Sequence, residues 1–229
     1  MPTIQLPTYE IELPISKQKI TYRPFVVKEE KLLLLAMVER DVPGVVKVIK
    51  EILTACTFNK LDVNAISKVD MEYLFIKTRN SAFGEGLDVT ATCPHCNHEQ
   101  KIILNMDKVE VVKPREIKPE IEIMANHWVT LRFPTLEESA MLDGSDESAI
   151  KMIAQCMVNI IINEDSHDVK DASIDERQAF LDSITEAQLL KLAEFFQSLP
   201  KLVYSEMVPC TKCRGEIKIY LEGLETFFD

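Results

Sequence analysis

The chain has 229 residues, 46% of them hydrophobic and 28% charged, and carries 26 Lys and Arg against 37 Asp and Glu, a net charge of −11. That composition is too apolar for a disordered chain, and no unbroken run of ~20 apolar residues is present to span a membrane. The deficit of cations disfavours general phosphate binding, so a nucleic-acid role is not expected.

The opening residues Met1-Pro2-Thr3-Ile4-Gln5 lack the charged and apolar regions of a secretory signal. Six cysteines in such a chain point to reduced thiols or a metal rather than a disulfide framework, and the expected setting is a cytoplasm. Two short strands are expected near 3–13 and 17–23, punctuated by Pro7 and Pro14. A helix follows over Val27–Arg40, where seven consecutive apolar residues, Leu32 to Val38, cover every side. Such a helix is buried in its own fold, the ordinary expectation, or presents a face to a partner. Leu32, Leu33 and Leu35 are the candidates for that face, with Phe227 and Phe228 at the C-terminus. Asp41 and Pro43 start a second helix with Val45, Val46, Ile49, Ile52, Leu53 and Cys56 on its inner face. The capping box Ser67-x-x-Asp70 starts a third, which Gly84 and Gly86 stop. Alternation at Leu87, Val89 and Ala91, a Cys-x-x-Cys turn and a strand through Ile102 and Leu104 complete this half.

Residues 106–120 read as an extended, solvated connector with one strand at Val109–Val112. The same order of elements then recurs over 121–229: strands at 121–125 and 128–133, helices at about 135–142 and 147–162, and a polar loop from Asn163 to Asp171. Capping boxes at Ser173-x-x-Glu176 and Thr185-x-x-Gln188 start two further helices, and Pro200 ends the last. A strand over 202–208, a second Cys-x-x-Cys turn and a strand over 216–221 close the chain. Thr21-Tyr22-Arg23-Pro24 matches Thr130-Leu131-Arg132-Phe133, and Glu30 follows at an offset similar to that of Glu138. The expected fold class is α+β, with two tandem similar halves, 1–105 and 121–229, each a β-hairpin, several helices and a knuckle hairpin.

Cys93-Pro94-His95-Cys96 and Cys210-Thr211-Lys212-Cys213 carry the chemistry. Two thiolates separated by two residues bind one metal from a tight turn, and two such turns complete a tetrahedral zinc site. One structural zinc per chain, shared by Cys93, Cys96, Cys210 and Cys213 in a zinc-ribbon-like site, is the expectation. Asn97 and Gly215 supply residues that tolerate positive φ behind the turns. A set of Cys93, Cys96 and His98 is an alternative, and a redox pair is disfavoured because strands, not helix N-termini, flank both motifs. Zinc with four protein ligands has no open position, and no phosphate loop, Gly-x-Ser-x-Gly or His-Glu-x-x-His motif is present, so no enzyme is expected. Cys56 and Cys156 read as small buried hydrophobes.

The stretch from Ile20 to Leu34, with Arg23-Pro24-Phe25-Val26-Val27-Lys28-Glu29-Glu30-Lys31 at its centre, resembles the opening signature of the baseplate protein family of T-even-like tailed phages. The paired knuckles are similar to those of its longer members. The resemblance covers roughly the first 105 residues. It implies a non-enzymatic subunit or assembly factor of a contractile-tail baseplate hub, present in the host cytoplasm during assembly or in the virion tail. Other baseplate or hub proteins are the implied partners, membranes are not, and self-association is left open. Arg23, Pro24, Phe25, Glu29 and Glu30 become fold or contact positions. The alternative is a zinc-ribbon adaptor for nucleic acid or a polymerase-type complex, which has only Lys101, Lys212, Arg214 and Lys218 as knuckle cations.

Overall fold

The computed structural model describes residues 5–39, 41–84, 86–113 and 117–223. The chain forms two compact units, one of Met1–Val112 with Lys201–Asp229 and the other of Lys113–Pro200. The first unit opens with an antiparallel hairpin, β1 (Tyr9–Glu12) and β2 (Lys19–Tyr22), followed by α1 (Val27–Glu39), α2 (Val42–Cys56) and α3 (Lys68–Phe83). Asp41 caps α2 by accepting from the Gly44 N–H, and Ser67 caps α3 by accepting from the Asp70 N–H. A second hairpin, β3 (Gly86–Thr92) and β4 (Glu99–Asn105), leads through a 3₁₀ turn at Met106–Lys108 to β5 (Glu110–Val112).

The second unit holds β6 (Glu120–Met124), β7 (His127–Leu131), α4 (Leu136–Ala140), α5 (Asp146–Cys156), β8 (Met157–Ile162), β9 (Asp165–Asp168), α6 (Ile174–Ser183) and α7 (Glu186–Gln197). Its four strands form one antiparallel sheet in sequence order. Val129 and Leu131 of β7, Met157 and Ile160 of β8, and Leu192 and Phe195 of α7 are buried in one apolar cluster. The helix expected over 147–162 therefore stops at Cys156. Met157-Val158-Asn159-Ile160-Ile161-Ile162 is rich in β-branched side chains, and its backbone pairs with β7 on one side and β9 on the other. The polar loop expected over 163–171 is in part this hairpin, turned at Asn163 with φ 57°.

The chain then returns to the first unit as β10 (Lys201–Pro209) and β11 (Glu216–Glu222). β10 pairs with β11 and also with β5, through Lys201–Val112, Leu202–Val111 and Val203–Glu110. That pairing is why 201–229 groups with the N-terminal residues, where the sequence suggested a boundary that kept it with 121–200.

One constellation occurs in both units. At the end of β2, the Arg23 guanidinium donates to Glu29 at 3.0 and 2.6 Å and to the Pro24 carbonyl at 2.9 Å. Glu29 accepts from the Val26 N–H at 2.8 Å, and the Arg23 N–H donates to the carbonyl of Cys56, the last residue of α2, at 3.0 Å. At the end of β7, Arg132 donates to Glu138 at 2.9 and 2.6 Å and to the Phe133 carbonyl at 3.1 Å. Glu138 accepts from the Thr135 N–H at 2.8 Å, and the Arg132 N–H donates to the carbonyl of Cys156, the last residue of α5, at 2.9 Å. The counterpart of Glu138 is thus Glu29, six residues after its arginine. Glu30, suggested by offset, is not the residue that pairs. Each clamp ties a strand end to a helix start and to the end of the next helix, with a bidentate pair that fixes orientation. The two cysteines are buried as expected, and burial pushes both thiols up to about 12.

Burial raises Glu29, but the Arg23 and Val26 hydrogen bonds outweigh it and hold the carboxyl below its ordinary 4.5. A depressed folded-state value means that the clamp's contribution is fully present above 4.5 and is lost as pH falls through the lower folded value. Arg23→Ala leaves Glu29 buried without its partner and is expected to cost about 3 kcal/mol in urea unfolding. Glu29→Gln is expected to flatten the loss of stability on acidification. A change under about 0.5 kcal/mol for Arg23→Ala would show the clamp to be dispensable.

Candidate metal centre

The two Cys-x-x-Cys turns cap the hairpins β3–β4 and β10–β11, and the first unit brings their four sulfurs together. All four lie within 4.8 Å of one another. Across the turns, Cys93 Sγ is 3.6 Å from Cys213 Sγ and Cys96 Sγ is 3.7 Å from Cys210 Sγ. A zinc–sulfur bond of about 2.3 Å gives sulfur–sulfur edges of about 3.8 Å in a tetrahedron, and a disulfide needs about 2.05 Å. The spacing fits one tetrahedral cation and not two disulfides. Cys93 and Cys210 are buried, Cys96 is half-buried and Cys213 is exposed.

Both turns are built from the same backbone bonds. The Cys93 N–H donates to the His98 carbonyl and the Asn97 N–H to the Cys93 carbonyl, both at 2.9 Å. The Cys210 N–H donates to the Gly215 carbonyl at 2.8 Å and the Arg214 N–H to the Cys210 carbonyl at 3.0 Å. Asn97 has φ 54° and Arg214 φ 62°, so the positive-φ position of the second turn falls on Arg214 and not on Gly215. Gly215 serves a different purpose: a Cβ there would lie 2.5 Å from the His95 ring and 3.3 Å from Cys213 Sγ. Its missing side chain is the space that one knuckle needs to approach the other.

Polar contacts lock the two turns. His98 Nε2 lies 3.1 Å from Thr211 Oγ1, which places this ring outside the sulfur cluster and sets aside the Cys93, Cys96, His98 alternative. Gln100 Oε1 accepts from the Thr211 N–H at 2.8 Å, and Gln100 Nε2 donates to the Pro209 carbonyl at 3.2 Å. Sequence reasoning passed over Gln100 and Thr211, because nothing in a strand pattern separates a bridging glutamine from a solvated one.

The thiols differ in acidity. Backbone N–H bonds from Cys213 and Lys212 bring Cys210 down to about 6. The His98 backbone bond favours the Cys96 thiolate, yet burial and the neighbouring sulfurs of Cys213, Cys210 and Cys93 push that thiol up to about 12. Four sulfurs this close cannot all ionise by themselves, whereas a divalent cation among them removes the conflict and takes all four as ligands.

The β1–β2 turn has the same construction without cysteines. The Leu13 N–H donates to the Gln18 carbonyl at 2.9 Å, the Lys17 N–H donates to the Leu13 carbonyl at 3.1 Å, and Lys17 has φ 59°. Leu13 and Ser16 stand where the knuckles have cysteines. The fully buried Asp70 carboxylate holds this turn by accepting the N–H groups of Ile15 at 2.8 Å and Ser16 at 2.9 Å.

The residues expected to face a partner divide. Leu35 is 64% and Leu32 38% exposed, but Leu33 is 6% exposed and belongs to the interior, because it falls on the face of α1 that also buries Glu29 and Ala36. The expectation that α1 is buried within its own fold holds for that face alone, since Val27, Leu34 and Val38 are exposed with Leu35. Phe227 and Phe228 lie outside the described residues.

A family model described as T4 bacteriophage base plate protein matches residues 6–229. The chain belongs to that family. The match to the base plate family spans both units, so the second Cys-x-x-Cys turn lies within the matched region together with the first. No curated protein and no solved structure matches the chain. Among the described residues, no helix of this base plate protein is long and apolar enough to cross a membrane.

Gly215→Val is expected to force His95 and Cys213 aside and to weaken retention of metal at least tenfold, read by competition with a chromophoric chelator. Retention equal to that of the unaltered chain would mean that the close approach of the knuckles is not needed.

Proposed function

We propose that this chain is a non-enzymatic structural or assembly protein of a contractile-tail baseplate hub, stapled by one zinc held by Cys93, Cys96, Cys210 and Cys213. The observation that carries the baseplate role is the family match over residues 6–229. The four-sulfur cluster supports the staple, since a closed tetrathiolate site offers no open position for substrate and contributes folding free energy instead. Zinc is the preferred ion because tetrahedral thiolate sets suit it. The exposed face of α1 is the contact surface of this reading, with other baseplate proteins as partners and the virion tail as the destination. Leu32 and Leu35 remain in that surface.

We also infer that the chain carries a duplicated plan of hairpin, helices and knuckle hairpin. Its support is the pair of Arg–Glu clamps, in which the bidentate ion pair and the backbone bond to the helix-ending cysteine recur between Arg23, Glu29 and Cys56 and between Arg132, Glu138 and Cys156.

Quantitative mass spectrometry of purified tails and of hub intermediates tests the role. A fixed copy number in finished baseplates is the expected result for a structural subunit, and presence in intermediates alone identifies an assembly factor. Absence from both would overturn the reading.

A further inference from the structure

The four sulfurs of the knuckles are not equally reachable. Cys93 is 0% and Cys210 1% exposed, Cys96 is half-buried, and Cys213 stands open to solvent. Gly215 helps to leave it open, since a Cβ there would lie 3.3 Å from Cys213 Sγ. Across the turns, the buried Cys93 Sγ lies 3.6 Å from the same sulfur. Cys210, the other cysteine of the second turn, is engaged elsewhere: Cys96 Sγ is 3.7 Å away and the Lys212 N–H donates to it at 3.4 Å. The tips are also held in register by contacts that contain no sulfur, from Gln100 to Thr211 and Pro209 and from His98 to Thr211. That register therefore does not depend on an ion among the sulfurs.

We propose that the site doubles as an oxidative staple, in which Cys213 attacks a small soluble disulfide of the glutathione kind and Cys93 resolves the product into a Cys93–Cys213 bond across the knuckles. In the first step the Cys213 thiolate attacks one sulfur of the oxidant, the oxidant's own S–S bond breaks, and one thiolate leaves. In the second, the Cys93 thiolate attacks the Cys213 sulfur, the mixed disulfide breaks, and the second thiolate leaves. Two protein thiolates are oxidised by two electrons in all, and one molecule of oxidant is reduced to two thiolates. Exposure selects the attacking sulfur, because an oxidant in solution reaches Cys213 before the buried cysteines. Proximity selects the resolving one, since Cys93 needs to close only about 1.5 Å to reach bonding distance. With two of its four ligands spent, the site no longer holds a tetrahedral cation, and a covalent bond joins the turns in its place. This pairing runs between the two Cys-x-x-Cys motifs and not within either.

The full chain loaded with zinc tests the order of reaction. Limiting N-ethylmaleimide is expected to label Cys213 at least tenfold over any other cysteine, read by peptide mapping. Oxidised glutathione is expected to give a Cys93–Cys213 bond and to release zinc to a chromophoric chelator. The oxidised chain is expected to keep its folded charge-state distribution in chelator. Cys93→Ser is expected to stop the reaction at glutathione on Cys213, and mapping of the unaltered chain decides the pairing even where this variant does not fold. First labelling at another cysteine, a bond within either turn, a chain inert to oxidised glutathione, or an oxidised chain that unfolds would each overturn the proposal. It rests on the reading that the four cysteines share one zinc. Metal content is measured before either reagent is added, so a chain without zinc counts against that reading, and the order of reaction counts for or against this one.

Discussion

Four sulfur atoms within 4.8 Å of one another bring together turns that lie more than a hundred residues apart in the chain, and this junction adds to the β10–β5 pairing that draws the C-terminal strands into the first unit. The hairpin β3–β4 is a two-stranded ribbon, marginal in water by itself, whereas β10–β11 gains a third strand from β5. The two hairpins also meet at their tips, where Gly215 leaves room for His95 and where Gln100 bridges to Thr211 and Pro209. Backbone N–H groups lower the Cys210 thiol while burial and the neighbouring sulfurs raise that of Cys96, a conflict that a divalent cation bound by all four would relieve. Closing a loop of this length costs only logarithmically more than closing a short one, so a distant second knuckle is no obstacle to a shared site.

A single turn geometry is used three times in this unit and anchored in two chemically different ways. At Cys93 and Cys210 the turn presents sulfur to its twin, and at Leu13 it presents backbone N–H groups to the buried carboxylate of Asp70. In each case one non-glycine residue adopts positive φ, and in each case the first residue of the turn is buried. The anchor therefore comes from outside the turn, and the backbone conformation is common to the versions with cysteines and the version without. The clamps of Arg23 with Glu29 and of Arg132 with Glu138 do for helix entry what the knuckles do for hairpin tips. Each gathers one strand end, one helix start and one helix end through a bidentate ion pair.

Much of this was legible from local pattern. The cysteine turns, the caps at Ser67, Ser173 and Thr185, and the α+β class are written in short stretches whose chemistry depends on near neighbours. What escaped depends on partners distant in sequence. Met157–Ile162 is apolar enough to extend a helix, and only the waiting edge of β7 decides in favour of a strand. Leu33 cannot be told from Leu32 or Leu35 in an unbroken apolar run until the burial of Glu29 fixes which side of α1 faces inward. Glu29 and Glu30 are equivalent in composition, and the geometry of Arg23 chooses between them. Placing positive φ on Gly215 followed the residue type, while the turn's hydrogen bonds put it on Arg214.

The central claim is that one cation, shared by two distant knuckles, makes the first unit a single body. Native mass spectrometry of the chain expressed with zinc, before and after a chelator, tests it most directly. The account predicts one zinc per chain, and collapse of the narrow folded charge-state distribution to a broad unfolded one when that zinc is removed. Two metals per chain, or a chain that keeps its folded distribution with none, would contradict it.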